Sequence, residues 1–147
     1  VRQRAHRLHR RTDMLQPLFV FYDWALLALR LALGVILIAH GYPKLRDLKG
    51  TAGWMGSIGL RPGIAFACIA AALEFFGGLA LIAGFATQVV ALAVLLQFVV
   101  IILKVNRAKG LKGGYEFDLL IAASALLLAT TGSGLFGLDG ALGIFIY

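Results

Sequence analysis

A single cysteine, Cys68, occurs among the 147 residues, and it sits inside an apolar run. One thiol closes no internal disulfide and cannot cycle as a dithiol pair, so a disulfide-stapled domain and a self-contained thiol-exchange enzyme are both excluded. Cys68 is expected to act as a small buried hydrophobe. Histidine is nearly as scarce. Of three, His6 and His9 lie near the start and only His40 falls in an apolar stretch. No two are spaced as haem or zinc ligands within the spans, and no cysteine cluster offers iron–sulfur ligation. There is no G-x-G-x-x-G after a strand and no P-loop. A flavin, nucleotide or metal, if one is used, would come from a partner chain. Charge is sparse too: 14% of residues, against about 25% in soluble domains.

What is present is hydrocarbon. The chain is 61% hydrophobic with a mean hydropathy of +0.89, where soluble domains run near 45–50% apolar. The bilayer accounts for this composition directly. The net charge of +7 would suggest nucleic acid only if the basic residues formed a face on a folded domain. They lie instead at the ends of apolar runs, where membrane proteins meet lipid head groups, so the expected partner is the bilayer and not nucleic acid.

Four apolar runs, each near the ~20 residues that span hydrocarbon, fall at about 22–42, 63–84, 89–104 and 116–135. A barrel would show short alternating strands. The fold class is therefore all-α, an integral membrane antiparallel four-helix bundle. Residues 1–21 read as a basic arm (Arg2, Arg4, Arg7, Arg10, Arg11) with an interfacial segment, 22–135 as the transmembrane domain, and 136–147 as a Gly-rich apolar tail too short to span. The arginine-rich opening resembles that of a signal peptide, but the following run is long, contains Arg30 and lacks a small-residue cleavage site, so an uncleaved first helix is expected. Pro43 marks the expected end of that helix, and 44–62 reads as a polar loop. Four spans put both termini on one side. The basic count favours cytoplasmic loops, while the dense arm before the first helix favours a cytoplasmic start, and orientation stays open.

Ionisable groups at membrane depth are costly and face the interior of a bundle. Arg30 lies twelve residues before Tyr42, and Glu74 eleven after Gly63. If the shared loop begins at Tyr42, both are about 17 Å from it at ~1.5 Å per residue, and a buried Arg30–Glu74 pair is expected. The helical wheel puts Asp23, Arg30, Gly34, Gly41 and Lys44 on one stripe, and Ala67, Ala71, Glu74 and Gly78 on another. Small residues around a charge suit close helix contact. A second polar group is expected at the loop end: His40, Lys44, Lys104, Glu116 and Asp118, with Tyr42, Trp54 and Tyr115 as aromatic walls or interfacial belt. Histidine is the side-chain type that changes charge near neutral pH, which makes His40, with Glu116, a candidate proton carrier. Gln97, polar in mid-helix, is expected to hydrogen-bond across helices.

The ordered set Arg30 with Gly34, His40-Gly41, Lys44-Leu45, Thr51-Ala52-Gly53, Gly59, Glu74, Gly77-Gly78, Leu81, Gly84, Thr87, Gly114, Glu116, Gly132-Ser133-Gly134 and Leu138-Asp139 resembles the DoxX family over about residues 24–142. The arginine-rich arm is not part of that pattern. The resemblance implies similarity to the small membrane subunit of thiosulfate:quinone oxidoreductase, or to membrane partners of thiol-redox or superoxide-handling enzymes. Such a subunit anchors a soluble partner in the plasma membrane of a bacterium or archaeon and shapes a quinone pocket. Arg30, Glu74, His40, Lys44 and Trp54 are the candidate cofactor contacts, since quinone carbonyls want donors in an apolar pocket. The other reading is a non-catalytic membrane scaffold or assembly factor, in which Arg30 and Glu74 lock the packing. A small transporter would need a homo-oligomer, and no inverted repeat supports it.

Overall fold

The computed structural model describes residues 17–143, and the basic arm and the last four residues lie outside it. Among the described residues the structure is helical with no strand. A short 3₁₀ turn, Pro17–Phe21, leads into α1 (Tyr22–Arg46), followed by α2 (Leu48–Ser57), α3 (Gly63–Ala83), α4 (Thr87–Ile101), α5 (Glu116–Thr131) and a short α6 (Leu138–Leu142). Four helical stretches are long and apolar enough to cross a membrane: Leu18–Arg46, Gly63–Ala83, Thr87–Lys109 and Leu111–Thr131. Their outward faces carry large hydrophobics such as Val35, Ile69, Phe76, Leu92, Leu96, Leu120 and Leu127, all exposed. Only a lipid solvent makes such a surface stable, so the protein is integral to the membrane.

Pro43 does not end the first helix. The helix continues to Arg46, and a bend follows in which the Asp47 amide bonds Pro43 O at 3.0 Å. Asp47 then caps α2, its carboxylate accepting from the Gly50 amide at 2.8 Å, as N-cap aspartates do. Residues 44–62, expected as a loop, therefore extend the first span as a bent second segment. That segment packs along the first half of α3, where Met55, Ala67 and Ala70 form a small core. A Cβ on Gly63 would collide with the carbonyl of Ala52.

Two helix pairs make up the bundle. In the first, α1 and α3 touch backbone to backbone: a Cβ on Gly34 would lie 2.7 Å from Gly78 O, and one on Gly41 would lie 2.6 Å from Phe75 N. Arg30, Gly34 and Gly41 on α1, and Ala67, Ala71, Glu74 and Gly78 on α3, are all buried. The small-residue stripes are thus the facing surfaces. Cys68 is one position off that stripe and is exposed on the outer face, not buried as expected. The second pair is α4 with α5. Both pairs meet in one core containing Leu33, Leu37, Leu81, Val94, Phe98, Ile121 and Leu128. α3 turns into α4 at Gly84, whose φ of +68° suits glycine, as at many helix C-termini.

Candidate functional site

The backbone contacts fix the register of α1 against α3. Gly41 is level with Glu74, and Gly34 with Gly78. Ten residues separate Gly84 from Glu74, so the level of Gly84 is about 15 Å away at ~1.5 Å per residue. Arg30 sits at that level: its Nη1 fills the place a Gly84 side chain would take. The expected Arg30–Glu74 pair is therefore not formed. The depth count failed because α2 prolongs the first span, so Gly63 lies level with Ala52 and not with Tyr42.

Arg30 serves the opposite end of the bundle. It is wholly buried, and its Nη2 donates to Phe136 O at 3.1 Å. Nε and Nη1 have no hydrogen-bond partner among the described residues. Gly137 is packed against it, since a Cβ there would lie 2.6 Å from Nη1. Around this point the segment after α5 closes the bundle. Asp139 accepts from the Ala86 amide at 2.6 Å and the Thr87 amide at 2.9 Å, capping α4 from 52 residues away. Asp23 accepts from the Leu135 amide at 2.9 Å. Among the described residues, Gly84, Gly137 and the Phe136 carbonyl close around the guanidinium.

Glu74 is the centre of a different site. It lies eleven residues after Gly63 and nine before Ala83 on α3, roughly 16 and 14 Å from the helix ends at ~1.5 Å per residue. That is mid-depth in a hydrocarbon layer ~30 Å thick. Its carboxylate, 1% exposed, is bound by the Lys44 ammonium, 26% exposed, and by the Gln97 amide. Helices α1, α3 and α4 each supply one member. Gln97 thus makes the cross-helix bond expected of it, while Lys44, expected at a loop end, sits mid-bundle.

Beside this triad opens a cavity of about 600 Å³. His40, Lys44, Trp54 and Glu74 line it, together with Gln97, Asn106, Lys109 and Asp118; the remaining lining is apolar. The ring centroids of His40 and Phe117 are 6.0 Å apart, and Asn106 donates to Asp118 at 2.6 Å. Two candidates stay outside. Arg30 is at the sealed end. Glu116 is exposed and accepts from the Gly113 amide at 3.1 Å, a turn-fixing bond, so Asp118 rather than Glu116 is the carboxylate on the cavity wall. Lys104, Tyr42 and Tyr115 also lie off the lining. Gln97 had a readable signal, as the one polar side chain between Val89 and Ile101 in an apolar helix; Asn106 and Lys109 had none, because a winding stretch brings them in, Ile102–Asn106 in wide π turns and Arg107–Lys109 in a 3₁₀ turn.

The sequence model of the family described as DoxX matches residues 25–107. The chain belongs to the DoxX family. Two DoxX-type relatives extend the match. The Bacillus subtilis (strain 168) protein named "Putative oxidoreductase CatD" is 34% identical over 118 residues, covering 80% of this chain and 87% of the relative. The Escherichia coli (strain K12) protein named "Inner membrane protein YqjF" is 32% identical over 120 residues, 80% of this chain and 91% of the relative. No solved structure matches this DoxX chain.

Proposed function

We propose that this DoxX-family chain is the membrane subunit of a redox complex and that its cavity holds the head group of a quinone. The observation that carries this is the Lys44–Glu74–Gln97 cluster at mid-membrane depth, on the edge of a mostly apolar 600 Å³ space. That volume lies within the ~300–1,000 Å³ range of small-molecule sites, and a few convergent polar groups in an apolar pocket are what such sites have in common. A quinone accepts two electrons and two protons. The electrons come from a soluble partner, since this chain shows no motif for a redox group of its own. Glu74 orients Lys44, whose third N–H donates to a carbonyl oxygen. His40, one helical turn from Lys44 and exposed, relays protons toward the cavity with Asp118. The name of the Bacillus relative supports a redox role, and that of the Escherichia relative supports placement in a bacterial or archaeal plasma membrane.

The test is extraction. Protein purified from membranes in mild detergent should release close to one quinone per chain into organic solvent, and Lys44→Met should release less than a tenth of that. A wild-type protein free of quinone, whose Trp54 emission is unmoved by added benzoquinones, would return the chain to the scaffold reading.

A further inference from the structure

We infer that the seam between α3 and α4 is where the hydrocarbon tail of the ligand lies, so that the ligand enters sideways from the bilayer. This rests on the head-group reading above and adds a tail subsite and a route. The cavity walls are unequal. Toward α1, α5 and the turns after α4 they carry His40, Asp118, Asn106 and Lys109. Toward the seam they carry Phe66, Ile69 and Leu73 from α3, and Ala93, Leu96 and Val100 from α4. These six side chains hold no polar atom, and their three- and four-residue spacings put them on one stripe of each helix.

The seam residues also reach the outside. Ile69 is 63% exposed and Leu96 59%, yet both line the cavity. Side chains that border the cavity and also meet the lipid make this apolar side a mouth, while the other exposed edge of the cavity, at His40, carries the polar groups. The mouth has an upper limit. Above Glu74 the two helices close, for a Cβ on Gly77 would lie 3.2 Å from Val90 Cγ1, and the turn at Gly84 follows. Glu74 and Gln97 sit where closure gives way to opening. A ring held there directs a chain attached to it into the apolar seam. The polar wall is the wrong side for a chain, since hydrocarbon placed there would bury the His40 imidazole and the Asp118 carboxylate against an apolar group. The ligand class is accordingly a ring with carbonyl acceptors and one long alkyl or isoprenoid substituent.

Two probes in lipid nanodiscs test this, a decyl-substituted benzoquinone and the same ring without a chain. Binding is read as Trp54 quenching in a Trp24→Phe background. Filling the seam with Ala93→Phe or Ile69→Phe should weaken the decyl probe at least tenfold and leave the bare ring within twofold. Decyl binding unchanged, or both probes lost alike, overturns the seam. A second measurement needs no seam variant: a decyl quinone with a terminal diazirine, photolysed on wild-type protein, should label residues 66–73 and 93–101. Labels on 104–118 or around His40 overturn the seam while leaving the head-group site intact. A wild type that binds neither probe refutes the head-group reading and this one with it.

Discussion

Removing Lys44 and removing Glu74 should not cost the same, although they share one ion pair. Glu74 is 1% exposed and Lys44 26%. In Lys44→Met, the carboxylate stays at mid-membrane depth with only the Gln97 amide as partner. Breaking a buried pair from one side costs ~3–5 kcal/mol, and the lower half of that range fits here because one hydrogen bond persists. In Glu74→Gln, the amide still meets Gln97, and Lys44 has a route along the cavity to water through its flexible stem. We expect about 1–2 kcal/mol. The double substitution removes both charges and leaves groups of similar volume, so it should lie within ~1 kcal/mol of Glu74→Gln alone. The coupling, the shortfall of the double against the sum of the singles, is then ~3–4 kcal/mol, at the upper end of the range for contacting residues. Reversible unfolding of the detergent-purified protein in rising dodecyl sulfate, followed by tryptophan emission, gives all three values. Additive singles, or a Lys44→Met protein as stable as Glu74→Gln, would refute the reasoning, because each denies that an unpaired buried carboxylate is the dominant cost.

Two further outcomes follow from the packing. Gly41→Val should lose ~3 kcal/mol or the fold itself, since its Cβ would lie 2.6 Å from Phe75 N and backbone does not yield as a side chain does; the same unfolding assay measures it. Asp139→Ala strips the Ala86 and Thr87 amides of their acceptor and should cost about 2 kcal/mol, the upper range for a lost cap, with faster amide exchange confined to the first turn of α4.

Much of the fold was legible because hydrocarbon imposes simple rules. Run length located the spans, and the glycine and alanine stripes on α1 and α3 pointed to the faces that meet. The pairing of charges was less legible. Depth along a helix can be counted only from a known end, and Pro43 looked like one. A proline there removes a single backbone bond, and the helix bends and resumes as α2, supported by the Asp47 cap and by burial of Met55 against Ala67 and Ala70. That extra length carried Lys44 from an expected loop end to mid-bundle and moved Arg30 to the far end. Cys68 was misplaced for a plainer reason: in a bilayer an apolar residue gains no preference for the inside, so hydropathy does not distinguish core from lipid face.

Arg30 and Glu74 are both fully buried charges, and the space around them separates their work. Arg30 is enclosed by Gly84, Gly137 and the carbonyl of Phe136, where even a methyl group would not fit. A charge enclosed by those groups fastens one segment to another, here the piece after α5 to the first half of α1. Glu74 borders an open cavity and holds a cation turned toward it. The two charges should therefore dissociate in experiment. Arg30→Met removes a charge-assisted bond that contributes ~2 kcal/mol, so stability should fall by about that much, with easier proteolysis between residues 132 and 143. The fraction that remains folded should keep its quinone within twofold of wild type. Glu74→Gln should do the reverse, lowering quinone retention tenfold or more at a smaller cost in stability. If Arg30→Met empties the folded protein of quinone, the sealed end communicates with the cavity, and the division of labour argued from packing is wrong.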